Sequence, residues 1–208
     1  TSTKEVIKIG VVAPVSGNFA AYGSTLAKGI EMAAADMSKV DTKYTYQVIV
    51  EDDESTPAKS ASAASKLINV DKVKAIITTT SGSGNSVKSQ AEKASVIHVC
   101  DCTDITIGNA PYNFTNLMLP ADEAKAWLAE AQKRGNKTIA ILAQAHPGAV
   151  ALVNALLPQV EGFGMKVVYN ESFAGEIRDF KTIIAKAKQS KADIYLLESY
   201  PPSMDILS

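Results

Sequence analysis

Apolar residues gather in short, nearly unbroken runs that alternate with stretches of helical spacing. Residues 6–13 read VIKIGVVA and end at Pro14. Such a run fits a parallel strand covered on both faces, whereas a half-exposed strand would alternate. A small polar loop follows, with Ser16, Gly17, Tyr22 and Gly23. Leu26, Ile30, Ala34 and Met37 then recur at the spacing of one helix face, predicting a helix over 23–38. The same rhythm continues down the chain. It predicts strands over 46–51, 75–79, 96–100, 113–117, 138–142, 166–171 and 194–198. Helices are predicted over 57–69, 86–94, 121–134, 148–161 and 180–188, with one more starting near Pro202. Thr56-Pro57 is a helix start signal, and Gly135 after Lys133-Arg134 a stop signal, as is Gly162 after Glu161. This strand–helix alternation predicts an α/β fold of parallel sheets flanked by helices.

The loop-like stretch 108–112, with Gly108, Asn109 and Pro111, precedes a short strand and a helix carrying the chain's one Trp, Trp127. The expected division is therefore 1–118 and 119–208. A hydrophobic content of 46% supplies a core, and a net charge of −1 gives no electrostatic case for nucleic acid or an anionic membrane. No apolar run approaches the roughly 20 residues that span a bilayer. No leader segment is read at the start, and that does not fix a location. Cys100 and Cys102, two apart in an extended segment, would sit about 6.5 Å apart at a rise of ~3.3 Å each. The expectation is two small apolar side chains near a strand end that are not bonded to each other. Two thiols with distant histidines do not make a zinc pattern.

Candidate chemistry collects at the predicted strand ends, where open α/β sheets bind ligands. The loop 78–85, Thr-Thr-Thr-Ser-Gly-Ser-Gly-Asn, follows a strand and opens a helix, an arrangement that brings backbone N–H groups and a positive helix end to a ligand. No Gly-Lys-Ser/Thr follows, so it is not a phosphate loop. There is no Gly-x-Ser-x-Gly elbow and no complete Gly-x-Gly-x-x-Gly fingerprint, so neither an enzyme nor a cofactor is expected. His98, within a strand, reads as a satisfied core residue. The acidic run 51–54 reads as solvated or helix-capping rather than metal-binding.

Taken together, several short segments resemble the leucine/isoleucine/valine-binding family of type I periplasmic solute-binding proteins. They are the strand ending in Ala13-Pro14, Ser16-Gly17, Tyr22-Gly23, Val50-Glu51-Asp52-Asp53 before Pro57, the Ser/Gly loop 81–85, and 180–184. The resemblance implies two lobes that close about a hinge on an amino acid or related small organic acid, with residues 116–120 in the hinge. It also implies an ABC transporter permease as partner and a periplasmic or extracellular location. Some members join the loop before Pro57 to the Ser/Gly loop by a disulfide. Here Ser55 and Ser81 take those places. Gly82 falls on a ligand-binding serine, with Ser81 and Ser83 beside it. Cys102 and Asp104 fall where small residues and a threonine hold the ligand. Asp104 would suit an ammonium, a hydroxyl or a cation, or else cap a turn. Tyr22 lies where an aromatic covers the ligand, and Tyr200 where a tyrosine closes from the second lobe. His146 or Gly148 replaces a closing aromatic, and Glu198 either supports Tyr200 or is structural. These departures make ordinary leucine a poor fit. The chain reads as the amino-terminal portion of such a receptor, and its open sheet edges are expected to drive homodimerisation or pairing with a missing carboxyl-terminal segment. A ligand-sensing module and a doubly wound enzyme are the alternatives.

Overall fold

The computed structural model describes residues 4–200 and Ser203. The chain divides into two compact units, Thr1–Leu117 and Met118–Ser208. In the first, β1 (Glu5–Ala13) is followed by α1 (Ala20–Val40), β2 (Tyr44–Asp52), α2 (Pro57–Lys66), β3 (Ala75–Thr78), α3 (Ser81–Ala94), β4 (Ile97–Cys100) and β5 (Asn113–Thr115). The strands form one all-parallel sheet in the order β2-β1-β3-β4-β5. Strand β1 explains the apolar run at its carboxyl end: Val11, Val12 and Ala13 are all fully buried. Val12 packs with Ile76, Ala63, Ala64, Leu67, Val87 and Ala91 beneath α2 and α3, while Val11 and Ala13 pack with Ala27 of α1. Successive residues of a strand point to opposite faces, so only a run apolar at every position serves both layers. Each large aliphatic side chain buried this way contributes about 1.5–3 kcal/mol.

The second unit runs α4 (Pro120–Lys133), β6 (Thr138–Gln144), α5 (Pro147–Leu156), β7 (Lys166–Phe173), α6 (Lys181–Gln189) and β8 (Ile194–Glu198). Its three parallel strands lie in the order β7-β6-β8. Ile139, Ile141 and Ala143 of β6 pack on Ala124, Leu128, Leu152 and Leu156 of α4 and α5. Leu142 points the other way, to Phe173, Phe180 and Ile183, and the two phenylalanine rings meet edge-on at 5.1 Å.

Helix α3 begins at Ser81 rather than 86, because Thr80 caps it: its Oγ1 accepts the Ser83 N–H at 3.1 Å. Helix α5 ends at Leu156, short of 161, because Pro158 cannot donate, and two tight turns carry the chain to a left-handed Gly164 (φ 70°). The helix expected from near Pro202 lies outside the described residues apart from Ser203, which is helical. No helix among the described residues is long and apolar enough to cross a membrane.

His98 sits fully buried between β3 and β5, with Nε2 2.9 Å from Thr78 Oγ1 and Nδ1 2.6 Å from Asn113 Oδ1. An amide oxygen only accepts, so Nδ1 carries the proton and Nε2 accepts from the threonine. Burial pushes the His98 pKa down, partly offset by the Asn113 bond. Burial also lowers that of His146. Both rings are thus neutral in the fold while the unfolded chain takes up protons near 6.5, so stability falls as the pH drops below about 6.5, toward the depressed folded values. Thermal unfolding at pH 7.5, 6.5 and 5.5 should show a falling Tm, smaller in a His98→Gln variant. An unchanged Tm across this window would contradict the neutral, buried assignment.

Candidate functional site

At the carboxyl edge of the five-stranded sheet, two adjacent aspartates organise the loops. The Oδ1 of Asp52 accepts the N–H groups of Val15 and Glu54, both at 3.0 Å, and its Oδ2 accepts the Ser16 hydroxyl at 2.5 Å. Burial opposes the charge, but these bonds hold the carboxyl below its ordinary value. The loop after β1 is thereby tied to the end of β2. Asp53 is fully buried, which corrects the expectation of a solvated or capping acid. It accepts the Ser55 N–H at 2.9 Å, the Ser60 hydroxyl at 2.8 Å and the Ser83 hydroxyl, so one carboxylate joins the end of β2 to α2 and to the first turn of α3. The remaining acids of the run are paired at the surface, Glu51 with Lys66 and Glu54 with Lys59.

The Ser/Gly loop is thus the first turn of a helix. Ser81 and Ser83 are buried, and Ser83 turns its hydroxyl to Asp53 and Thr80. Gly82 is the open position: a Cβ there would meet nothing closer than Thr80 Oγ1 at 3.9 Å. Among the described residues, no acceptor takes the N–H of Ser81 or Gly82. The positive end of α3 therefore carries two donors left without an acceptor. Beside it, at the end of β3, the buried hydroxyl of Thr79 has no hydrogen-bond partner among the described residues. Such a group is an exception in a folded interior.

Asp104 adjoins this turn. Its Oδ2 accepts from Asn85 Nδ2 at 2.6 Å, and its Oδ1 accepts the N–H and hydroxyl of Thr106 at 2.9 and 2.7 Å. Burial works against ionisation, yet the bonds from Asn85 and Thr106 and the charge of Lys88 keep the carboxyl below its ordinary value. The turn-capping role is thus present, and the group keeps its negative charge at neutral pH. Tyr22 stands in the first turn of α1, 43% exposed; burial and the Asp101 carboxylate push its phenol above its ordinary value.

Cys100 and Cys102 are bonded to each other, correcting the sequence expectation. The extended spacing does not apply, because β4 ends at Cys100 and the chain bends through Asp101, bringing the two Cα atoms to 5.2 Å. Cys102 is buried at 4% exposure, so its side chain offers little surface to a ligand.

In the second unit, the sequence-predicted residues His146 and Tyr200 meet, with ring centroids 4.2 Å apart. His146 caps α5, its Nδ1 accepting the Gly148 N–H at 3.2 Å. A Cβ on Gly148 would lie 2.5 Å from the Tyr200 hydroxyl, so a larger residue here would push that ring tip aside. Tyr200 is positioned by Gln144, which ends β6 and whose Oε1 accepts the Tyr200 N–H at 2.7 Å. Burial and Glu123 raise the Glu198 pKa, opposed by a hydrogen bond from Tyr200. Glu198 thus supports Tyr200. Sequence reasoning missed Asp53, Asn85 and Gln144 as organisers. Gln144 did carry a signal, as a polar residue closing the run TIAILA.

Among the described residues, no three His, Cys, Asp or Glu side chains converge to hold a metal ion. The first unit thus places a helix start next to the Asp104 loop, and the second, by itself, places an aromatic pair at the start of α5.

A family model described as periplasmic binding protein matches residues 6–205. The chain is 25% identical over 216 residues to a leucine-, isoleucine-, valine-, threonine- and alanine-binding protein of Pseudomonas aeruginosa, a match covering 98% of this chain and 56% of the relative. Among solved structures it is similar to a leucine-binding protein of Thermotoga maritima (TM-score 0.87, 21% identity, 97% of this chain and 58% of that one). It is also similar to an ABC transporter solute-binding protein of Rhodopseudomonas palustris in complex with p-hydroxybenzoic acid (TM-score 0.87, 23% identity, 98% and 57%). The chain thus spans a little over half the length of these relatives, which are binding proteins rather than enzymes.

Proposed function

Starting from the premise that this chain belongs to the periplasmic binding protein family, we propose that it is part of the solute-binding component of an ABC transporter. In this reading it acts outside the cytoplasm and takes up an amino acid or related small organic acid at the carboxyl edges of its two sheets, by the hinge closure that the resemblance implies. The observation that carries the reading is the first turn of α3, where the N–H groups of Ser81 and Gly82 have no acceptor among the described residues and the side of Gly82 is open, with the charged Asp104 bonded to Asn85 in the next turn. A carboxylate belongs at the helix end and a group that donates, above all an ammonium, at Asp104. His146 and Tyr200 would supply the aromatic wall. Closure adds stability only through contacts made in the closed form alone.

A thermal-shift screen of L-amino acids, hydroxybenzoates and polyamines on the intact protein tests this, because a ligand of the folded state raises Tm by mass action. Amine-bearing acids are expected to raise it most. Asp104→Asn should then weaken their binding by about tenfold or more in calorimetry, the worth of one charge-assisted bond of ~1.5–3 kcal/mol, while leaving hydroxybenzoate affinity within about twofold. A screen in which no compound of these classes moves Tm would overturn the reading.

A further inference from the structure

We propose that the Cys100–Cys102 bridge is a positioning device for the loop after β4. It directs residues 101–107 back over α3 so that Asp104 meets Asn85, at the start of the helix's second turn. The bridge closes a loop of only three residues, which constrains the unfolded chain very little, so global stability is a poor explanation for it. Its surroundings are those of a locating pin. Both cysteines pack with Ile107, 1% exposed, in a small cluster of their own. The first turn of α3 closes on them at Gly84, where a Cβ would lie 2.6 Å from Cys100 Sγ and 2.7 Å from Ile107 Cδ1. From this pin the loop hangs by short local bonds. The Ile107 N–H donates to the Asp104 carbonyl at 3.1 Å, Thr106 donates twice to the Asp104 carboxylate, and Lys88 reaches the Thr106 carbonyl at 3.3 Å. On the far side, the Asn116 N–H donates to the Cys100 carbonyl at 3.3 Å, tying the same point to the end of β5. Cys102, expected to touch a ligand, is instead a positioning residue that acts through Asp104. The inference deepens the proposed ligand reading only in its consequence, since the loop geometry is measured without a ligand.

The test compares the oxidised protein, the same protein treated with dithiothreitol, and the Cys100→Ala/Cys102→Ala variant. In the reduction one thiolate of dithiothreitol attacks a bridge sulfur, and the second thiol releases the mixed disulfide. The bridge gains two electrons and two protons, and the reductant leaves as its cyclic disulfide. Reduction is confirmed by a mass gain of two hydrogens. Amide exchange and carboxyl NMR titration are then read. Opening the bridge should accelerate exchange at Thr106 and Ile107 at least tenfold, leave Val11 and Ile139 unchanged, and let Asp104 titrate nearer its ordinary value. Tm should move by only a few degrees. Three outcomes would overturn the proposal: unchanged exchange and titration in the reduced protein; a variant that loses Tm while Asp104 titrates as before, which would mark a mere space-filler; or protection lost throughout the unit, which would mark a staple of the whole fold. A variant that fails to fold leaves the reduced protein to decide.

Discussion

Gly23→Ala is expected to destabilise the first unit by about 3 kcal/mol, the upper part of the range for forced overpacking. Gly23 is buried in the first turn of α1, and a Cβ on it would lie 2.2 Å from the Pro14 carbonyl oxygen and 2.8 Å from the carbonyl carbon. The obstacle is backbone just past the end of β1, not the tip of a flexible side chain. Relief therefore requires α1 to lift off β1 and carry Tyr22 with it. Urea unfolding should show a lower midpoint with an unchanged slope. By contrast Gly29→Ala, on the same helix with nothing within 4 Å of a Cβ, should be neutral or stabilising by up to ~1 kcal/mol. Equal midpoints for the two variants would show that the contact at Pro14 has no energetic weight.

Asp53→Ala should cost a similar amount, about 2–4 kcal/mol, because charged acceptors form the stronger hydrogen bonds and their buried donors lose a partner. Ser60 can fall back on the Thr56 carbonyl at 3.0 Å and Ser83 on Thr80 Oγ1 at 2.8 Å, and the Ser55 N–H, on an exposed residue, on water, so what is lost is the three bonds to a charged acceptor. Asp53→Asn retains the shape and one acceptor oxygen and should lose roughly half as much. The measurement is again urea unfolding, accompanied by exchange at the first turn of α3. If Ala and Asn cost the same, the carboxylate is not acting as a multiple acceptor.

Much of this architecture was legible because a doubly covered parallel strand needs apolar residues at consecutive positions, and VIKIGVVA and TIAILA supply them. Helix boundaries were read less well where small polar residues dominate. Ser81, Gly82 and Ser83 have weak helix propensity, and only the Thr80 cap and the tertiary partner Asp53 place them in α3. For the same reason Asp53 looked like one of four surface acids. Its burial depends on serines 7 and 30 residues away, a relation no local pattern encodes. The cysteine pair was misjudged because extended geometry was assumed beyond the end of β4, where the chain bends. His146 and Tyr200 were both singled out from the sequence, but their contact depends on Gln144 holding the chain after β8.

One ring in the second unit ties acidity to architecture. His146 caps α5 through Nδ1, which accepts the Gly148 N–H, so the imidazole cannot be both a cation and a cap. A proton arriving from acid surroundings would place positive charge beside Tyr200 and at the same moment unfasten the opening turn of the helix. The ordered start of α5 therefore belongs to the uncharged ring, and burial, by disfavouring the cation, keeps the cap fastened further into acid than a solvent-exposed histidine would.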